Sequence, residues 1–550
     1  MLRIANGHVH DPARGVRGEI VDLYIDGDRI VSGEGFSQDE IQRMETIDAS
    51  GCAVMPGGVE IHSHIAGAKV NTGRIMCPED HYEHIRTETA CTRAGCGLSL
   101  PTTFLTGYLY SQLGYTTVFE AAVPPLEARH AHEELMDMPL LDKGLYTVMG
   151  NNMLVMKVLS DPDSSRRRER LRDLVSWLLR ASRGYAVKVV NPGGVESWKW
   201  NNGAVDLDTP TRPFGVTSRR IITELAEVVD ELGLPHPMHL HSNHLGEPGN
   251  VDTTLATMRA LEGHRTHFTH LQFHSYAKTG KGRFTSGAAR MAEYFNGHPE
   301  FTCDVGQIVF GKTLTMTSDA PMEFKLHQMR KGKWANCDIE MESGSGIVPI
   351  VYRPRMLVNA IQWAIGLELL LLVDNPWQIF LTTDHPNAGP FTAYPGLIRL
   401  LMDANYRQSW LDRLHPRIKR STCLFDLTRE YTLDEIAVIT RAGPARTLGL
   451  QNKGHLGPGA DADVAVYPLN EDRAAMFSAP RYVFKNGVMV VREGEILQSV
   501  EGRTFTVEPA GGRKLPEDLA ELFAQGYTIN MANYMVEDEY LPRPEVVPCK

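Results

Sequence analysis

Short apolar runs that end in polar, metal-capable residues recur through the middle of the chain. Thr116–Phe119, Tyr146–Met149 and Ala186–Val190 read as buried strands, as do Pro237–His241, Thr266–His270 and Ile379–Asp384. Helical spacing fills the gaps. Ile222, Leu225, Val229 and Leu232 mark one face of a helix over 219–232, with Gly233 as its stop. Ser164 or Ser165 is placed to cap a second helix over 166–183, where Leu171, Leu174, Val175 and Leu178 share a face and Arg166–Arg168 read as solvated. The apolar run Ile365–Val373, interrupted by Glu368, is too short for a membrane span and reads as a buried core helix. Strands alternating with helices in this way predict an α/β fold built on a parallel sheet.

Both ends of the chain have a different texture. Leu2–Ala5 runs into Asn6-Gly7, a strong hairpin dipeptide, and Val21–Ile25 meets Asp26-Gly27-Asp28 before Arg29–Val31 resumes the strand. Near the far end, Asp463–Tyr467 reads as a strand and Tyr482–Val491 as a hairpin across Asn486-Gly487. Neither segment is large enough to bury its own core, which predicts that the two combine into one small sandwich. The chain thus divides into a composite β-sandwich from 1–56 with 445–505, a central α/β domain over 57–444, and an extension over 506–550. Its last part, 527–550, rich in Tyr, Pro and Glu, reads as a contact to a neighbouring subunit.

Composition narrows the function classes. The 550 residues are 42% hydrophobic and 22% charged, ordinary values for a folded globular protein. A net charge of −11 offers no basic footprint for nucleic acid or an anionic membrane. None of the eight cysteines forms a C-x-x-C pair, which disfavours zinc ribbons, thioredoxin-like redox motifs and ferredoxin-type clusters. Free thiols and an N-terminus with no charged-then-apolar leader pattern point to a reducing, cytoplasmic setting. No G-x-x-x-x-G-K-[ST] phosphate loop is present. The 21 histidines stand out, and they cluster at strand ends.

His62 and His64, two apart on a strand, point to the same face and suit one metal ion. Lys188 lies in the middle of an apolar strand, where burial favours the neutral amine. Such an amine captures CO₂ to give a carbamate, an anionic bridge for two ions. His241 and His270 each end a strand, but spacing alone does not separate them from His239 and His267. Asp384 ends the last strand, where a carboxylate can ligate a metal and take a proton from attacking water. His274, His385 and Asn387 lie close enough in sequence to orient substrate or ligands.

The order of H-x-H, strand lysine, two strand histidines and strand aspartate resembles the amidohydrolase superfamily. The resemblance implies a (β/α)₈ TIM-like barrel with a composite β-sandwich and a binuclear metal site. Gly443–Leu450 and Lys453–Asp463 look like that superfamily's return to its sandwich. Leu240–Asn243 resembles the fifth-strand ligand segment of ureases and hydantoinases, which favours His241 over His239 and His270 over His267. Longer blocks sharpen the match: His62–Gly67, Asn71–Arg74, Val190–Gly194, His241–Asn250, His270–Tyr276 and Thr383–Pro390. These resemble the A-type subunit of formylmethanofuran dehydrogenase, together with its counterpart in the bacterial formyltransferase/hydrolase complex.

That resemblance implies two Zn²⁺ held by His62, His64, carboxylated Lys188 (N6-carboxylysine), His241, His270 and Asp384, with Asp384 as the catalytic proton carrier. It implies formylmethanofuran or methanofuran and formate as small-molecule substrates, and partner subunits that supply any electron transfer. Two other readings are compatible with the same residues: a cyclic-amide hydrolase of the hydantoinase or dihydropyrimidinase type, and a metal-free scaffold protein within a complex.

Overall fold

The computed structural model describes residues 1–200, 205–280, 283–337 and 341–550. Eight parallel strands form its centre: β1 (Gly58–Ser63), β2 (Tyr115–Val123), β3 (Asp142–Val148), β4 (Ala186–Val190), β5 (Met238–His241), β6 (Thr266–Phe268), β7 (Phe301–Asp304) and β8 (Ile379–Phe380). Each pairs with the next in parallel. A Ser63–His385 bridge, with the His64 amide donating to the His385 carbonyl at 2.7 Å, joins the last strand's continuation to β1. The sheet therefore closes into the barrel that the alternation predicts. Every strand residue of β2, β3 and β4 is buried, as expected where helices cover the outside and side chains fill the inside.

Local chemistry sets the helices. The one over Ser164–Ser182 is capped by Asp163, whose carboxylate accepts from the Ser165 and Arg166 amides, so the cap lies one residue before the two serines expected to provide it. Of its arginine run, Arg166 and Arg168 are exposed as expected and Arg167 is half-buried. Arg167 bonds Glu224 at 2.8 Å and Arg168 pairs with Glu227 and Glu231, all on the neighbouring helix Ser218–Glu231. The run 365–373 lies in the buried helix Leu357–Leu372. Glu368 is tolerated there because Ser286, Thr422 and the Cys423 and Leu424 amides all donate to it.

Two further sheets flank the barrel. A seven-stranded sheet runs in the order 495–496, 488–492, 482–485, 464–468, 52–56, 8–11 and 16–20, so strands from both chain ends share one ladder. A four-stranded sheet holds 29–31, 23–26, 2–5 and 45–48. Ile4, Ile25, Val54, Val464 and Phe484 belong to one buried cluster between them. The turns at 26–29 and 485–488 are two-residue hairpins, the latter with Asn486 and Gly487 both at positive φ. Asn6-Gly7 is not a hairpin. Its flanking strands enter different sheets, and the dipeptide turns the chain between layers. Gly7 is required at this corner because a Cβ would sit 2.4 Å from Val54.

Between β7 and β8 the chain adds a three-stranded sheet (311–317, 345–352, 335–337) and the helix Ala320–Arg330. This insertion walls the carboxyl end of the barrel. The extension beyond 506 packs on its own barrel: Thr504–Thr506 pairs with β3 and Pro544–Val546, and the Lys550 amide bonds the Gly233 carbonyl.

Candidate metal centre

The carboxyl ends of the strands surround a cavity of ≈ 390 Å³ lined by His62, His64, Lys188, His241, His270 and Asp384. All six are buried, none more than 4% exposed. His62 and His64 leave β1 on the same side. Asp384 follows β8 at a φ of 46°, and His270 follows β6 at a φ of 33°. Gly306 makes room for His270, since a Cβ there would lie 2.6 Å from the histidine's own Cβ.

Asp384 Oδ1 lies 3.0 Å from His62 Nε2 and 3.2 Å from His64 Nε2. Across the cavity His270 Nε2 lies 3.2 Å from His241 Nδ1, and His274 joins them in a second compact donor group. Several atoms in these groups are buried with no hydrogen-bond partner: His62 Nε2, His241 Nε2, His270 Nδ1, Asp384 Oδ1 and both ring nitrogens of His274. Buried polar atoms are rarely left unpaired in a folded protein. Lys188 lines the same cavity, and among the described residues its amine has no hydrogen bond and no ion pair. Burial lowers its pKa to about 7, against the pull of Asp304 and Asp384.

Surrounding groups hold the ring orientations. His62 Nδ1 donates to Asp304 Oδ2 at 2.9 Å, and His64 Nδ1 donates to Glu120 Oε1 at 3.2 Å. Asp304 also accepts from His267, the His270 amide and Thr382, at 3.2, 3.0 and 2.8 Å. Burial opposes its charge, but His62 and His267 hold it well below the usual carboxylate range. Glu120 takes the Ile65 and Ala66 amides and pairs with Lys69 at 3.3 Å. Against burial, Lys69 and His64 lower it to about 2. Burial alone would lower the His62 pKa, yet Asp304 and Asp384 raise it to about 9. Asn387 donates to Asp384 Oδ2 at 2.9 Å and accepts from the Met316 amide at 2.6 Å.

The pairs that spacing left open differ in position. His241 and His270 face the cavity. His239 lies beneath it, 2.9 Å from His236 and 3.3 Å from His62 Nδ1, while His267 is spent on Thr302 and Asp304. His385 is turned away from the cavity and stacks edge-on against Phe391, and its backbone closes the barrel.

Sequence reasoning missed Asp304, Glu120 and Asp319, the last 3.3 Å from His241 Nε2. Asp304 ends a four-residue strand too short to announce itself, and Glu120 lies just beyond the apolar run that marks the second strand. A period-two pattern carried one step further would have found Glu120.

A closed parallel barrel that gathers histidines, a lysine and an aspartate at its carboxyl end defines the class, and the chain belongs to the amidohydrolase family, whose model matches residues 45–498. Within that family it groups with two full-length relatives. FwdA of Methanocaldococcus jannaschii is 46% identical over 560 residues, covering 98% of this chain and 97% of that one. The A-type subunit of the formyltransferase/hydrolase complex Fhc of Methylorubrum extorquens is 39% identical over 549 residues, with the same coverage. A chain in the crystal structure of the Methylorubrum extorquens formyltransferase/hydrolase complex (FhcABCD) with methylofuran superposes with a TM-score of 0.92 at 38% identity, covering 100% of both chains.

Proposed function

We propose that this chain is a binuclear-zinc amidohydrolase that works, as one subunit of a complex, on the N-formyl group of formylmethanofuran, releasing formate and methanofuran or running the reverse condensation. The observation that carries the reading is the set of unpartnered, buried histidine and aspartate atoms around the cavity, with Lys188 lining the same space. His62, His64 and Asp384 would hold one ion, and His241 and His270 the other, with His274 beside the second. Lys188, as N6-carboxylysine, would bridge them. Burial and the lack of an acidic partner suit its amine to carbamate formation. Two ions so held would supply the chemistry the reaction needs, acidifying a water and acting as a Lewis acid toward the formyl oxygen.

The chain's own residues do the rest. Asp384 accepts the proton of the attacking water and passes it to the amine nitrogen, while Asn387 fixes its Oδ2. Asp304 and Glu120 lock His62 and His64 with their Nε2 atoms toward the site. The apolar walls, including Phe273, Tyr276 and Ile350, exclude bulk water from the reacting centre. Among the described residues no helix is long and apolar enough to cross a membrane, which fits work inside a cytoplasmic multisubunit one-carbon complex. The FhcABCD assembly and methylofuran ligand of the related structure support that placement.

Lys188→Ala tests the bridge. It is expected to abolish formate release from formylmethanofuran and to lower zinc, measured by native mass spectrometry, well below two ions per chain. Retention of both would overturn the reading.

A further inference from the structure

Glu323 sits on the cavity-facing helix Ala320–Arg330 and is fully buried. Thr315 donates to its Oε2 at 2.8 Å, while Oε1 has no hydrogen-bond partner among the described residues. The structure makes specific room for it: a Cβ on Gly346 would come within 2.2 Å of the Glu323 Cβ. Three carboxylates line this cavity. Asp384 is committed to the histidines and Asn387, and Glu247 pairs with Lys325 at 2.7 Å. Of the three, Glu323 is the one whose unpartnered oxygen has neither a histidine nor a cation beside it among the described residues.

The same strand ties Glu323 to the reacting end. Thr315 orients Glu323, and the next residue, Met316, anchors Asn387, which in turn holds Asp384. The carboxyl thus lines the same cavity as the proton-carrying aspartate, with Met322 and Tyr352 also lining the space. A polar acceptor at the edge of an apolar cavity selects a ligand with an apolar body and one cationic or hydrogen-donating head.

We propose that Glu323 is the amine-recognition residue of this site, its free Oε1 receiving the nitrogen of the primary amine that is deformylated or formylated. The inference rests on the hydrolase reading above and adds a binding role for the amine side of the substrate. No covalent step is assigned to Glu323. Burial, with Asp319 and Asp384 nearby, keeps its carboxyl protonated before the amine arrives. The groups facing it are Thr315 and Tyr352 from the inserted sheet, Asp319 from the start of its own helix and Asp384 from the barrel. An arriving ammonium forms an ion pair with Glu323 and displaces that proton to solvent.

Calorimetry on the zinc-loaded full chain tests this without turnover. Furfurylamine and its uncharged isostere furfuryl alcohol are titrated into wild type and Glu323→Gln in two buffers of different ionisation enthalpy. Wild type is expected to prefer the amine and to release a proton on binding it. Glu323→Gln should lose the proton release and weaken amine binding by at least about tenfold, the scale of one hydrogen bond to a charged group. Alcohol binding should stay within about twofold, because no charge-assisted bond is lost. Equal amine affinity in wild type and a folded Glu323→Gln would overturn the proposal. If Glu323→Gln does not fold, Thr315→Val, which only frees the carboxyl's orientation, carries the test: a weaker amine with an unchanged alcohol supports the role, and no change overturns it. Failure to hydrolyse formylmethanofuran would instead strike the hydrolase reading, since these binding measurements need no turnover.

Discussion

The barrel carries a buried cluster of ionisable groups at each end, and the two are resolved in opposite ways. At the amino end, Asp142, Asp461 and Asp463 bring carboxylate oxygens close enough together for one ion. Lys453, Lys485 and Arg503 fill that space instead. Lys453 reaches Asp463 at 2.5 Å and Asp461 at 2.9 Å, Lys485 reaches Asp142 at 2.7 Å, and Arg503 reaches Asp142 at 3.0 Å. With Arg29 on Asp461 at 2.6 Å and Glu545 on Arg503 at 2.9 Å, four acids meet four bases, and the cluster joins β3, the two flanking sheets and the C-terminal extension.

At the carboxyl end the count is not closed. Histidine nitrogens and Asp384 Oδ1 face the cavity unpaired, and the lysine there has no acid within reach among the described residues. Proximity of acids and histidines is common to both ends. What separates a fastening from a reaction site is whether the charges and lone pairs are already spent.

Three experiments sharpen that contrast. The largest stability effect should come from Asp142→Ala, which takes one buried carboxylate from Lys453, Lys485 and Arg503 together. Losing one member of a buried ion network costs about 3–5 kcal/mol, so denaturant melts should shift strongly while zinc content in the folded fraction stays at the wild-type value. Loss of zinc without loss of stability would invert the assignment of the two ends.

Asp304→Asn should do the reverse. It leaves a neutral, isosteric group beside His62 and is expected to weaken zinc affinity by about 10–100-fold, measured by competition with a chelator, with a smaller shift in the melting midpoint than Asp142→Ala gives.

The smallest effect is on acid stability. Burial would raise the Asp463 pKa, but Lys453 and Lys485 hold it at about 2, below its ordinary 3.8. A depressed carboxylate contributes stability that is fully present above the unfolded pKa and lost as pH falls through the folded one. Wild type should therefore lose part of its stability between about pH 4 and pH 2, and Asp463→Asn should flatten that part of the profile. An unchanged slope would remove Asp463 from the fastening.

Much of this arrangement is legible in the residues, and the illegible parts have physical causes. The alternation of strands and helices, the H-x-H pair, the strand lysine and the terminal aspartate all announce themselves through local pattern. Asn6-Gly7 misleads because a dipeptide that favours positive φ serves a hairpin and a layer crossing equally well. Asp163 outcompetes Ser164 for the cap because the carboxylate reaches two free amides from one residue further out. Asp304 escapes because β7 is four residues long, with Thr302 and Asp304 as polar positions.

The sequence by itself determined the fold class and the order in which the barrel strands deliver their polar ends, because periodicity and spacing are properties of neighbours along the chain. Only the tertiary structure decided which histidines face the cavity and which lie beneath it, since His239 and His241 share one face of β5 and differ only in depth. It also decided that the acids at Asp142, Asp461 and Asp463 are already paired with bases while Glu323, among the described residues, is not. Those distinctions depend on partners brought from hundreds of residues away, and no local pattern records whether a buried charge has met its counterpart.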